Sequence, residues 1–342
     1  MRAYMYREGV DFAMPPELAP VERHKLEPPD GVVPALSGER LPDPDFFTPA
    51  SPQEADIFLF PYDLGHFVNI LRPKGCAEFL RSLPYLSGRE GRHVFSDNGD
   101  VAECLPLPVG LLKRSLLRSY GAALPDKKHI FQATSADSPR CIVTWYELPA
   151  HVAADKPHFD WRSLRYDCSF VGAFTHMLRQ VACAAMEKEE GLRFYNGGFD
   201  SIFVQGNAFY SKEQTPEERM RKQEIFRRVT KDSLLVLCPP GVGPQSVRMY
   251  ETMYYGRVPV LFTTTVRYPL EDSLDYSAFS FTVPEKYVLQ TGRMVRSILM
   301  EHGKEALCAR GRLACKIWST RFSNAGRGKA MAGYIRELAG MA

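Results

Sequence analysis

Apolar residues in this chain fall into short runs of strand length, separated by longer stretches with helical spacing. The runs cover 2–6 (RAYMY), 56–60 (DIFLF), 93–96 (HVFS), 129–132 (HIFQ), 141–145 (CIVTW), 167–172 (DCSFVG), 192–195 (LRFY), 233–238 (SLLVLC), 257–262 (RVPVLF) and 278–283 (AFSFTV). Amphipathic spacing between them predicts helices over 74–86, 175–189, 216–231, 245–255, 285–301 and 303–339. Strands that alternate with helices need crossover connections, so the pattern predicts an α/β fold with mainly parallel sheet.

Two stretches break this rhythm. Residues 14–53 hold many Pro with Gly, Asp and Ser, and read as an irregular surface excursion. Residues 148–166 carry two Pro and no clear period. Taking 151–165 as a linker divides the chain into a first domain at 1–150 and a second at 166–320. The remaining helical stretch, 321–342, is long enough to pack back on the first domain. No internal repeat occurs at solenoid periods.

Composition changes this picture little. The 342 residues are 45% hydrophobic and 24% charged, the ordinary mix of a chain that buries a sizeable core. A net charge of +3 and a pI near 8.3 are too mild to argue for nucleic acid, but leave room for a basic pocket that takes an anion. The amino terminus shows no signal peptide, and no stretch is apolar enough to span a bilayer. The expectation is a soluble, cytoplasmic protein, compatible with peripheral contact at a membrane. Eight Cys are scattered with no Cys/His cluster at zinc spacing, so neither a metal nor another resident cofactor is expected.

Candidate chemistry concentrates in residues 238–262, CPPGVGPQSVRMYETMYYGRVPVLF. An apolar strand ends at Cys238, Gly241 and Gly243 turn the chain, and Pro244 is suited to open a helix. A strand, a glycine turn and a helix start present free backbone N–H groups to an anion. A tight turn explains the glycines equally well, and neither a Walker A loop nor a dinucleotide fingerprint is present. Arg248 and Glu251, three apart, share a helix face just after Ser246. Arg248 sits in the first turn, where the helix dipole disfavours a cation unless an anion offsets it. Glu251 could accept both hydroxyls of a ribose. The plain alternative is a surface ion pair between the two. Upstream, a second strand-to-helix junction carries Gly172 and then Arg179. Alone, Arg179 reads as a solvated side chain; with Arg248 it could clamp a diphosphate.

These residues carry a resemblance. The segment 231–285 resembles the carboxyl half of the exostosin-type glycosyltransferases: a strand ending in Cys-Pro, a Gly-rich turn, Ser246-x-Arg248-x-x-Glu251, Gly256-x-x-Pro259-Val260, and Tyr276-Ser277-x-Phe279-Ser280. Weaker likenesses lie in AYMYRE (3–8), EADIFLFPYD (54–63), GREGRHVFSDNGD (88–100) and SFVGAFTHMLR (169–179). Arg92 replaces an Asp of the family pattern, and CIVTWYELP replaces its Asp-Val-x-x-Pro segment. The resemblance implies a GT-B architecture, two Rossmann-like domains facing across a cleft, with the nucleotide sugar on the second and the acceptor on the first. It also implies transfer with inversion and without an obligatory metal. Arg248 and Arg179 would hold the diphosphate, Glu251 the ribose, and Gly241, Gly243, Ser246 and Gly172 would shape the donor site. A UDP-sugar is the favoured donor, and a glycan or glycolipid hydroxyl the acceptor.

An inverting transfer needs a base on the acceptor side. Asp97 is the first candidate, His66 the second, with Asp63, His93 and Asp100 beside them; a capping Asp or a hydrogen-bonded His is the plain reading of each. Asp43-Pro-Asp45 spells Asp-x-Asp, but within the Pro-rich excursion. The Arg-rich stretch 218–228 reads as a solvated helix face, Tyr250, Tyr254, Tyr255 and Tyr276 as core, and Cys308 with Cys315 as packing. Two rivals stand beside the transferase. One is a carbohydrate-binding relative without activity, and the other is a further GT-B enzyme such as a sugar-nucleotide epimerase.

Overall fold

The computed structural model describes residues 1–21, 47–97, 105, 107–113, 131–132, 140–143, 148–157, 159–199, 215–241, 245–262, 266–271, 273–323, 330 and 333–337. Two compact units divide the chain. The first comprises 1–147, 265–274 and 321–342, and the second 148–264 and 275–320. Each is built on one sheet. The α/β expectation therefore holds in both.

In the first unit the strands are β1 (Arg2–Met5), β2 (Thr48–Pro49), β3 (Ile57–Asp63), β4 (His93–Asp97), β5 (Gly110–Lys113), β6 (Phe131–Gln132) and β7 (Arg140–Val143). They lie in the order β2-β1-β3-β4-β5-β7-β6. All pairings are parallel except β6 with β7. A parallel sheet covered on both faces calls for unbroken apolar runs, and Ile57 to Phe60 supplies one, every residue buried. Helix α1 (Leu64–Arg81) starts on Asp63, whose carboxylate accepts the Gly65 amide at 3.0 Å. It kinks at Arg72 (φ 63°), because the Pro73 ring keeps the preceding residue out of the helical region. Phe58, Phe60, Phe67 and Phe95 fill the core beneath it. Strands β2 and β5 were not foreseen. They are two and four residues long, too short for a period-2 pattern to show.

In the second unit β8 (Tyr166–Ala173), β9 (Phe194–Phe199), β10 (Ser233–Cys238), β11 (Val258–Leu261) and β12 (Phe281–Thr282) form an all-parallel sheet. Its order is β12-β11-β10-β8-β9. The helices are α2 (Ala150–Ala153), α3 (Met177–Glu187), α4 (Pro216–Lys231), α5 (Val247–Tyr254) and α6 (Thr291–Ile317). Helix α4 opens on a capping box, with Thr215 and Glu218 each bonding the other's amide and Pro216 at the first turn. Its Arg-rich sequence is largely solvated, as expected for a mixed-charge face. The segment after α2 is tied into the unit: Asp155 accepts from Lys231 Nζ at 2.7 Å and from the Tyr255 hydroxyl at 3.1 Å. Tyr250, Tyr254 and Tyr255 are buried, and Cys308 packs in the core. Those readings as packing hold; Tyr276, read the same way, is only partly buried, in the short turn Tyr276–Ala278. Among the described residues, no helix is long and apolar enough to cross a membrane.

Candidate functional site

The strand order of the second unit fixes where a ligand site can form. From β8 the chain moves outward to β9 on one side. It then returns to β10 and continues outward to β11 and β12 on the other. The connections leaving β8 and β10 therefore diverge. In an open parallel sheet such a switch point leaves a crevice at the carboxyl ends of the two strands, where backbone amides and helix starts converge.

Two arginines cross over this point. Arg179, on the helix that follows β8, reaches toward the exit of β10: its Nε donates to the Pro240 carbonyl at 2.9 Å. Its Nη1 donates to the Ala173 carbonyl at 2.7 Å. Arg248, on the helix that follows β10, reaches back to β8, where a Cβ on Gly172 would collide with its Nη2. Both guanidinium groups lie over the ring of Phe170, with Cζ at 5.9 Å for Arg179 and 4.6 Å for Arg248. Gly172, at φ 151°, is what admits Arg248 to the end of β8. Gly241 does the same for Arg179, whose Nη2 lies 2.5 Å from where a side chain would begin.

The arrangement is electrostatically unbalanced. Arg179 and Arg248 are each only 7% exposed and Glu251 5%. Burial, with Arg248 nearby, lowers the Arg179 pKa to about 9, so the guanidinium stays protonated at neutral pH but is held under repulsion. Burial raises the Glu251 carboxyl to about 7 against the opposing pull of Arg248 and Arg179. A single carboxylate, its charged form disfavoured by burial, cannot balance two buried cations. No salt bridge joins Arg248 to Glu251 among the described residues, and Arg248 Nε and Nη1 have no hydrogen-bond partner there. The surface ion pair that the sequence allowed is thus replaced by a buried cluster with excess positive charge.

Further donors face the same deficit. Ser246 precedes α5 but makes no capping bond, and its buried Oγ has no partner among the described residues. The same holds for Gln245 Nε2 and Thr175 Oγ1. Tyr250 donates to Gln245 Oε1 at 2.7 Å, which fixes that amide's orientation. Buried donors without acceptors are costly, and a group of them beside two cations is suited to an oxyanion. The structure thus brings together Arg248, Arg179, Glu251, Gly241 and Gly172, and sets Ser246 at the start of the helix that carries Arg248 and Glu251. Gly243 lies outside the described residues. Thr175 and Phe170 were not singled out in the sequence. For Arg179 a signal existed: it occupies the same helical stripe as the buried Ala182, Cys183 and Met186.

Candidate bases lie in the first unit. Asp63 ends β3, is buried, and caps α1. His66 follows in the first turn of that helix and is half-buried. Asp97 ends β4, and the register that pairs Asp63 with Ser96 sets Asp63 and Asp97 at neighbouring strand ends. The first unit's own switch point lies between β1 and β3, so Asp63 borders it and Asp97 is one strand further out. His93 is a core residue. Its Nδ1 donates to the Arg89 carbonyl at 2.8 Å, its Nε2 accepts from the Tyr6 hydroxyl at 2.9 Å, and its ring stacks on Phe58 at 4.6 Å. Burial pushes its pKa down to about 4. Asp100 and the Asp43-Pro-Asp45 sequence lie outside the described residues. Among the described residues no group of three or more His, Cys, Asp or Glu could hold a metal ion.

Each unit is thus an α/β unit on a mainly parallel sheet, and the second holds two buried arginines at its switch point. Residues 202–298 match the family model of the Exostosin GT47 domain. The match takes in β10, the glycine turn, α5, β11 and β12. No curated protein matches the chain. Solved structures of similar fold include TarM, at 11% identity and TM-score 0.40, over 77% of this chain and 58% of that one. A TarM mutant from S. aureus, in complex with Fondaparinux, alpha-GlcNAc-glycerol and UDP, is 12% identical at TM-score 0.44, over 82% of this chain and 55% of that one. Anabaena Alr3699/HepE in complex with UDP-glucose is 11% identical at TM-score 0.45, over 84% of this chain and 79% of that one. The chain thus spans little more than half the length of TarM.

Proposed function

We propose that this chain is an inverting glycosyltransferase that moves a sugar from a nucleotide diphosphate sugar, a UDP-sugar by preference, to a hydroxyl of a glycan or glycolipid. The observation that carries the reading is the pair of buried, mutually repelling guanidinium groups of Arg179 and Arg248 at the β8/β10 switch point. The exostosin-type match over 202–298, which takes in β10, Arg248 and Glu251, supports it.

In this reading the two arginines and Ser246 hold the diphosphate, and Glu251 accepts the ribose hydroxyls. The acceptor oxygen attacks the anomeric carbon from the face opposite the diphosphate, and the bond from that carbon to the diphosphate oxygen breaks. Negative charge grows on the departing oxygen, and fixed cations already in place stabilise it without reorganising. The hydroxyl proton passes to a carboxylate or imidazole of the first unit, with Asp97 assigned first, then His66 and Asp63. No metal has a role in this scheme. A cytoplasmic location fits the same reading.

The test is thermal stabilisation by UDP, since a ligand that binds only the native state raises apparent stability by mass action. UDP is expected to raise the melting temperature of the parent and to lose most of that effect on Glu251→Ala. Equal stabilisation of both proteins would remove Glu251 from the donor site.

A further inference from the structure

We propose that Thr175 is a further ligand of the donor's diphosphate, its hydroxyl completing an oxyanion cradle with Arg179 and Ser246; this rests on the donor-site reading above. Thr175 lies in the turn between the end of β8 at Ala173 and the start of α3 at Met177. Both its neighbours are fixed by other contacts. The Phe174 amide donates to the Phe199 carbonyl at 2.9 Å, and its ring stacks parallel on Phe170 at 5.8 Å. His176 caps α3, its Nδ1 accepting the Leu178 amide at 3.2 Å. The Thr175 hydroxyl is therefore not used to cap the helix it precedes.

That hydroxyl is buried and has no hydrogen-bond partner among the described residues. It lies 3.4 Å from the point where a side chain on Gly241 would begin, and Arg179 Nη2 lies 2.5 Å from the same point. The absence of a side chain at Gly241 thus lets the Arg179 guanidinium and the Thr175 hydroxyl approach the same point at the exit of β10. A lone hydroxyl can turn its hydrogen toward an acceptor, and two nearby cations favour an acceptor that is anionic. A group with several oxygens suits Thr175, Ser246 and the guanidinium donors together; a neutral sugar hydroxyl does not. Left unpaired, the Thr175 hydroxyl is a net cost to the unliganded fold. Binding and stability should therefore respond to its removal in opposite senses.

Calorimetric titration of UDP, and separately of inorganic pyrophosphate, into the parent, Thr175→Val, Thr175→Ser and Arg248→Gln tests this. Thr175→Val keeps the shape and removes the hydroxyl. It should weaken both ligands by on the order of ten-fold, because the bond lost is to a charged group, while its unliganded melting temperature does not fall. Thr175→Ser should bind as the parent does. If Thr175→Val binds UDP as tightly as the parent while Arg248→Gln does not, the Thr175 inference is wrong and the donor site stands. If the parent binds neither ligand, both fall. Should Thr175→Val fail to fold, Thr175→Ala against Thr175→Ser gives the same comparison.

Discussion

At the scale of single residues, hydrogen-bond partners separate the buried polar groups that the fold satisfies from those that it does not. His93 and Arg248 are both buried side chains that carry or can carry charge, yet they stand in opposite states. His93 has a partner for each ring nitrogen and an aromatic face against it, so it is satisfied as a neutral imidazole. Its pKa is about 4 in the folded chain against an ordinary value near 6.5. The unfolded chain therefore takes up a proton that the native one refuses as pH falls from 6.5. The stability contribution is intact above pH 6.5 and is lost on the way down to pH 4, by roughly 3 kcal/mol in all. Chemical denaturation at pH 7.5 and pH 5 should show this loss, and His93→Phe should flatten that part of the profile. An unchanged slope in the variant would assign the acid sensitivity elsewhere. Arg248, by contrast, leaves two guanidinium nitrogens without partners among the described residues. The sequence could not separate these cases, because a His at a strand start and an Arg in a first turn each carry two readings until their neighbours are known.

Elements place these residues, and here much was legible. The run from Ser233 to Cys238 is apolar almost throughout, as a central parallel strand must be, and the glycines and Pro244 after it mark a turn into a helix. What the pattern could not give is how two junctions far apart in sequence come together. Arg179 and Arg248 meet only because β8 and β10 are neighbours, a fact of sheet order that no local spacing encodes. Thr175 was invisible for the same reason, since its significance depends on Gly241, on the other junction. The first half of α1 was hidden by Pro73, which breaks the helical spacing although the chain continues beyond the kink. Arg248 of α5 lies against Gly172 at the end of β8, and that approach predicts the effect of one methyl group. Gly172→Ala adds a Cβ where Arg248 Nη2 lies, at a φ that side chains rarely adopt. The variant should lose about 1–3 kcal/mol of stability and most of its UDP affinity. A variant that binds UDP normally would show that Arg248 need not lie against β8.

At the scale of the whole molecule, each unit carries a switch point of its own, β1/β3 in the first and β8/β10 in the second. The arginines and Glu251 assigned to the donor gather at the second, and the bases assigned to the acceptor's proton lie in the first, Asp63 and Asp97 at strand ends and His66 in the first turn of α1. The central claim is that Arg179 and Arg248 form a site for a diphosphate and not merely a packed pair. Titration of UDP and of uridine into the parent and into Arg248→Gln tests it most directly. The account predicts that UDP binds the parent far more tightly than uridine does. It also predicts that Arg248→Gln loses on the order of a hundred-fold for UDP, the loss expected when one of two buried charge-assisted partners is removed. Uridine binding as tightly as UDP, or a variant that keeps the parent's affinity for UDP, would contradict it.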